Sequence, residues 1–322
     1  MLIIFSTSYD TTVDLLVHYL GPGDVFRFNS DRWEDYKIDM GPAGFRLEDP
    51  TGRSICSRDV TKAFWRKPAK TRDMFPEIPV PEEKAYCEAE VWYVMREMVN
   101  ILWGEQKIVL IEPLADLRAG KFVQLKLARG YFALPAYQFR LGSGSRFSED
   151  AAVVTKSLTL EPVVGKTHSV IFATKVDDSR LAPSYPWMVQ EYIHAEADIT
   201  VVFVRDRLFA FELDRRPFLD KTVDWRELPV DETSDNWRPH TLPEAIIKGI
   251  FSFMGSLLLH FGRLDFLYHQ GSYTFLEVNP NGQWAWLDAE AKHGLTAKII
   301  DEISPRTPCR CIPACRPPLV SC

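Results

Sequence analysis

The chain has 322 residues, of which 46% are hydrophobic and 25% charged, with a net charge of −6. That is the profile of a globular protein with room for two domains or one large multi-lobed one, and its mild negative balance excludes a nucleic-acid partner bound through a basic face. No apolar run reaches bilayer-spanning length and the first six residues lack the basic leader of a signal peptide, so a cytoplasmic enzyme or binding protein with no membrane partner is expected.

In chain order, the apolar run at 2–5 predicts a buried strand, 12–20 an apolar helix closed by Gly21-Pro22-Gly23, and Val25 the start of a second strand. Strand, helix, strand at this spacing predicts an α/β lobe with parallel strands. Turns and antiparallel strands occupy 39–57 and another strand 60–68. A long helix over 82–102 carries a stripe of Ala85, Ala89, Trp92 and Val99, expected to face the core rather than a cofactor. No glycine-rich dinucleotide loop follows the first strand, which argues against a nucleotide on this lobe. Residues 108–111 read as a strand that Pro113 breaks, 121–129 as a helix and 134–139 as a strand. The pattern restarts near residue 115, the expected lobe boundary.

Strands follow at 153–156, ending in Lys156, and at 170–176, with Gly165 and Lys166 in the loop between. The run at 187–193, Trp-Met-Val-Gln-Glu-Tyr-Ile, is a strand that leaves its sheet at a polar edge. Arg205-Asp206-Arg207 separates strands at 199–204 and 208–213 as a hairpin. Residues 242–261 predict a helix with a strong apolar face, packed behind the last strands. Trp284, Trp286 and Leu287 are expected in the core or an interface, ahead of a final helix over 289–303. Cys309, Cys311, Cys315 and Cys322 crowd a proline-rich end. Their spacing fits no standard zinc motif, so 305–322 reads as a disordered tail.

The most informative stretch is Gly-Arg-Leu-Asp-Phe at 262–266 with Phe-Leu-Glu-Val-Asn-Pro-Asn-Gly at 275–282. Gln270-Gly271-Ser272 marks a turn between two short apolar strands. Side chains two apart share a face of a strand, so Glu277 and Asn279 project together while Leu276 and Val278 point away. In a paired hairpin Asp265 can lie opposite them, giving two carboxylates and an amide oxygen. Mg²⁺ takes such hard oxygens when a substrate's phosphates supply the rest. The competing reading is a surface hairpin with solvated acids, but an unpaired carboxylate among so many apolar neighbours is costly.

Those residues resemble the metal-binding end of an ATP-grasp ligase. The longer string at 277–288, Glu-Val-Asn-Pro-Asn-Gly-Gln-Trp-Ala-Trp-Leu-Asp, is similar to the graspetide (microviridin-type) ligases, which tie side chains of ribosomally made peptides into macrocycles. The resemblance runs to about residue 300 and implies an α/β, ATP-grasp fold: an N-terminal pre-ATP-grasp lobe (1–115), a central subdomain (116–190), a C-terminal subdomain (191–304) and the tail. It implies ATP and Mg²⁺, with Asp265, Glu277 and Asn279 on the metal. Lys121 and Lys156 would face phosphates, although surface exposure is the commoner fate of lysine. Gly165 would lie in the loop that covers the phosphates. The backbone of Gln190, Glu191, Tyr192 and Ile193 would meet the adenine edge, and Asp198 the ribose. Thr200 stands where related enzymes carry an arginine, so no role is transferred there. Asp224-Trp225-Arg226 matches a motif of the same ligases and makes Arg226 an anion contact; on its own it would be a surface turn. Arg263 would aim at an acyl phosphate, its alternative being an ion pair with a neighbouring acid.

No nucleophile elbow or Walker loop is present, and the histidines lack ligand spacing. The resemblance therefore implies that a carboxylate of a precursor peptide (leader and core) is phosphorylated and then captured by a hydroxyl or amine of the same peptide, forming an ω-ester or ω-amide. Members of that family often form homodimers. Two other readings stay open: an ATP-grasp ligase acting on a small molecule or a protein C-terminus, and a non-catalytic nucleotide-binding scaffold.

Overall fold

In the computed structural model the described residues are 1–68, 75, 77–142, 147–148, 151–158, 163–164, 168–169, 173–218, 222, 224–227 and 236–308. Gly165, Lys166 and the four cysteines of the C-terminal tail lie outside them. The chain opens with β1 (Leu2–Ser6), α1 (Thr11–Leu20) and β2 (Val25–Asn29). A meander of β3 (Lys37–Gly41), β4 (Gly44–Glu48) and β5 (Ser54–Cys56) leads to β6 (Lys62–Trp65). β1 is fully buried and lies between β2 and β6, parallel to both. Asp10 caps α1 through the Thr12 N–H, and Gly21 ends it at φ 88°.

Next come α2 (Pro81–Gly104), α3 (Ala115–Arg118) and α4 (Lys121–Ala128). The stripe expected along α2 meets the core only in its second half, where Met95, Met98, Val99 and Leu102 are buried. Ala85 and Ala89 are exposed and Trp92 is half-buried. The reason is length: a helix of 24 residues runs about 36 Å, while strands of four or five residues span about 17 Å. The run at 108–111 forms no strand either. It makes one parallel bridge from Ile108 to Ala63, then turns away where Leu110 adopts φ 59°.

Two antiparallel sheets carry the rest. The first contains β7 (Tyr137–Arg140), β8 (Ala152–Lys156), β11 (Thr174–Asp177) and β12 (Trp187–Glu191) in the order β11-β8-β12-β7; β9 (Val163–Val164) and β10 (His168–Ser169) pair separately. The second contains β13 (Ala197–Val204), β14 (Arg207–Asp214), β15 (Arg238–Pro239), β16 (Phe261–His269) and β17 (Ser272–Asn279) in the order β15-β14-β13-β16-β17. Gln270 and Gly271 join β16 to β17 with φ 45° and 85°, the two positive angles of a primed hairpin turn.

Behind this second sheet lies α5 (Glu244–Ser256). It is shorter than the expected 242–261, because Leu258 turns at φ 54° and Phe261 already belongs to β16. α5 and the sheet close over a nest of rings in which Phe275 lies 5.4 Å from Phe132, 5.2 Å from Phe253 and 5.5 Å from Phe266. The last helix, α6 (Leu295–Ile303), starts six residues later than the pattern suggested. Gly294 turns the chain at φ 82° just before it, and Asp288 accepts the Thr296 N–H at 2.8 Å. No helix among the described residues is long and apolar enough to cross a membrane.

Candidate active site

Strand pairing builds the floor of the site. β16 and β17 set Asp265 directly opposite Glu277 and Arg263 opposite Asn279. The register shifts by one residue between Asp265 and Phe266, a bulge of the kind that re-aims side chains near functional sites. Leu276 and Val278 both border the cleft beside Glu277 and Asn279, with Val278 fully buried. Gly282, in the turn after β17, is required by close approach, since a Cβ there would stand 2.6 Å from the Arg263 Cβ.

The floor is a compact charge network. Lys121, at the start of α4, donates to Glu277 Oε2 at 2.6 Å, and the Lys156 ammonium lies 3.8 Å from the same oxygen. The Asn279 amide donates to Glu277 Oε1 at 2.9 Å and reaches Asp265 Oδ2 at 3.5 Å. Arg263 donates to Asp265 Oδ2 at 3.0 Å and to the Gln283 carbonyl at 3.2 Å. The Thr200 hydroxyl bonds Asp265 from the facing position on β13. Burial alone would raise the Glu277 carboxyl, but Lys121, Lys156 and the Asn279 amide hold it well below the ordinary carboxylate range. Burial lowers the Lys156 ammonium, an effect Glu277 opposes.

All of the residues singled out above as metal, phosphate, adenine, ribose or anion contacts line this one cleft, whose volume is about 690 Å³. Gln190 is buried, and its amide nitrogen has no acceptor among the described residues. The N–H groups of Glu191 and Tyr192 are bonded to the Ala136 and Ala152 carbonyls, so these two positions cannot offer donors to a base. Ile193 is the linker position whose N–H no backbone carbonyl among the described residues takes up. Asp198 pairs with Arg215 at 3.0 Å, and its other oxygen is buried with no partner among the described residues. Burial pushes the Asp198 carboxyl up to about 6 against the pull of Arg215. Buried polar atoms of this kind are ordinarily hydrogen-bonded, and these two face the cleft. Arg226 is held by Asp224, its Nε donating at 2.7 Å; that hydrogen bond raises the guanidinium above its ordinary value.

The donor set fits Mg²⁺ carried by a polyphosphate. Among the described residues no group of three or more His, Cys, Asp or Glu side chains could hold a metal alone. Two carboxylates with an amide suit an ion that draws its remaining oxygens from phosphates.

Sequence reasoning missed several lining residues: Lys67, Asp116, Arg215 and Trp237. Arg215 lies in a run of charges after β14 that reads as surface, yet it is buried. Trp284 and Leu287 belong to the core as expected, but Trp286 lines the cleft with the Arg263 guanidinium 5.4 Å from its ring centre. Only the tertiary fold reveals which of these indoles faces the site.

No family model matches the chain, and no curated protein matches it in sequence. Solved structures do match. A RiPP-associated ATP-grasp ligase of Chryseobacterium gregarium, in complex with ADP and a leader and core peptide, superposes with a TM-score of 0.80 at 20% identity, over 97% of this chain and 98% of that one. The macrocyclase MdnC of Microcystis aeruginosa, bound with precursor peptide MdnA, gives 0.76 at 20% identity over 94% and 99%. The D-alanine–D-alanine ligase of Bacillus anthracis, complexed with ATP, gives 0.51 at 13% identity over 94% of each. At these identities the likeness is one of fold: the chain has the α/β ATP-grasp fold.

Proposed function

We propose that this chain is an ATP-dependent ligase that closes macrocycles in a ribosomally made precursor peptide by forming side-chain ω-esters or ω-amides. The observation that carries this reading is the convergence in one cleft of Asp265, Glu277 and Asn279 with Lys121 and Lys156, facing a strand edge with orphaned groups at Gln190 and Asp198. It is supported by full-length fold similarity to ligases crystallised with peptides, which exceeds that to the D-alanine–D-alanine ligase. The proposed lobes are 1–115, 116–190 and 191–304, and the proposed assembly is a cytoplasmic homodimer.

An oxygen of an Asp or Glu side chain on the peptide attacks the γ-phosphorus of ATP, the bond to the β-phosphate oxygen breaks, and ADP departs. A Thr or Ser hydroxyl, or a Lys amine, of the same peptide then attacks the acyl carbon. Phosphate leaves, and the attacking group loses its proton. Mg²⁺, held by Asp265, Glu277 and Asn279, would neutralise charge on the phosphate oxygens. Lys121 and Lys156 grip phosphates, and Arg263 and Arg226 offer planar guanidinium forks to oxyanions as two anions approach. Gln190 and Ile193 hold the base and Asp198 the ribose. Glu191 and Tyr192 shape the edge instead of donating to it.

The test is ADP release with ATP, Mg²⁺ and a linear precursor peptide, read together with the peptide mass. ADP release that requires both metal and peptide, with loss of one water per ring, is expected. Turnover with free amino acids or dipeptides but not with peptide would favour a small-molecule ligase. Nucleotide binding without turnover would favour a scaffold.

A further inference from the structure

Six cationic side chains line the cleft, and five are engaged by carboxylates. Lys121 and Lys156 meet Glu277, Arg215 meets Asp198, Arg226 meets Asp224 and Arg263 meets Asp265. The sixth, Lys67, has no carboxylate among the described residues within ion-pairing distance. Its backbone is unusual as well. Seven described non-glycine residues have positive φ, and of these Lys67, at 45°, is the one that lines the cleft. A left-handed residue without a glycine's freedom costs of the order of 1 kcal/mol and persists only where its surroundings enforce it.

Those surroundings are visible one residue earlier. Arg66 is fully buried and donates to the Asn281 carbonyl at 2.7 Å, the Asn281 side chain and Gln283, with Asp10 at 3.4 Å. This clasp fixes the end of β6 against the turn that follows the metal strands, and so fixes where Lys67 leaves the sheet. Gln283, whose side chain takes the Arg66 guanidinium, offers its carbonyl to Arg263, so Lys67, one residue beyond Arg66, stands at the Arg263 end of the cleft. The residue is open to solvent, yet desolvation of its ammonium, followed by the nearby Arg66 and Arg263, lowers it to about 8.

We propose that Lys67 is a substrate-binding residue whose ammonium, beside the Arg263 guanidinium, takes the peptide side-chain carboxylate that is to be phosphorylated. This deepens the ligase reading and rests on it for the fate of that carboxylate, but the binding itself is measurable without turnover. Asp116, the lining acid that acts on Lys67, forms no ion pair with it, and Arg263 is already engaged by Asp265. A monoanionic side chain delivered here would complete the sixth pair and lie next to the phosphate-holding floor.

The experiment uses the full chain loaded with ADP and Mg²⁺, titrated with Ac-Thr-Thr-Glu-Glu-NH₂ and with Ac-Thr-Thr-Gln-Gln-NH₂. Wild type is expected to prefer the glutamate peptide by about tenfold or more, in line with a charge-assisted contact. Lys67→Met should erase that preference while the affinity for fluorescent ADP·Mg²⁺ stays within about twofold, and Lys67→Arg should keep it. If Lys67→Met does not fold, the pH series decides. The wild-type preference should fall as pH rises past about 8, whereas that of Lys67→Arg should persist. No preference in wild type, a preference that survives Lys67→Met, or nucleotide affinity that drops with the substitution each overturns the assignment. Failure of the ligase reading would register separately, as absence of peptide-dependent ADP release in wild type.

Discussion

The two antiparallel sheets that line the cleft are built to different standards. The five-stranded sheet of β13 to β17 backs onto the largest apolar cluster of the molecule, with Val201, Leu264, Phe275 and Val278 at 0% exposure. The four-stranded sheet of β7, β8, β11 and β12 has a small satellite core of Val153, Leu181 and Val189. Asp265, Glu277 and Asn279, proposed to hold the metal, stand on the first, and the Gln190–Ile193 edge belongs to the second together with Lys156. Side chains that must hold charge in fixed geometry are placed on the element whose deformation costs most, because densely packed cores resist displacement. The role proposed for the Gln190–Ile193 edge, holding a flat base, asks for less.

That contrast can be broken or sharpened. The largest effect is expected from Glu277→Gln, which removes the anion shared by Lys121 and Lys156; peptide-dependent ADP release should fall about 10³-fold or more at saturating ATP. Retention of more than a tenth of the activity would remove the floor from the chemistry. Phe275→Ala, which empties the centre of the ring nest, should lower unfolding free energy in urea by about 3–5 kcal/mol.

Asp198 comes next. Its folded-state carboxyl is raised to about 6, so the folded chain binds the proton more tightly than the unfolded one. The stability from this group is complete below the unfolded value near 4 and is lost as pH rises through 6, by up to about 3 kcal/mol. Asp198→Asn should flatten that decline and remove one carboxyl carbon titrating near 6 from the NMR spectrum. Val189→Ala in the satellite core should cost about 1–2 kcal/mol, the smallest change. A loss equal to that of Phe275→Ala would erase the distinction between the sheets.

Much of this was readable along the chain. The primed turn at Gln270-Gly271 and the two apolar runs beside it specify a hairpin, and hairpin geometry puts Asp265 within reach of Glu277 and Asn279 without reference to the rest of the fold. The β13–β14 hairpin and α1 were legible for the same reason, since short-range periodicity and turn chemistry act within about ten residues. The errors fell where distant packing decides. The exposed half of α2 depends on how far the sheet beneath it extends, and the late start of α6 depends on Asp288 and Gly294. The one-residue register shift beside Asp265 was not foreseen, because a bulge leaves no mark in an alternating pattern.

The sequence alone determined which side chains carry hard oxygens and cations, and which strands present them, because a strand's two faces follow from alternation and a turn. Which cations find a carboxylate, that Arg66 is sunk in a clasp spanning more than two hundred residues of sequence, and that Lys67 is left facing the cleft were decided by the tertiary structure. Burial and pairing are properties of what arrives from elsewhere in the chain, and no local pattern encodes them.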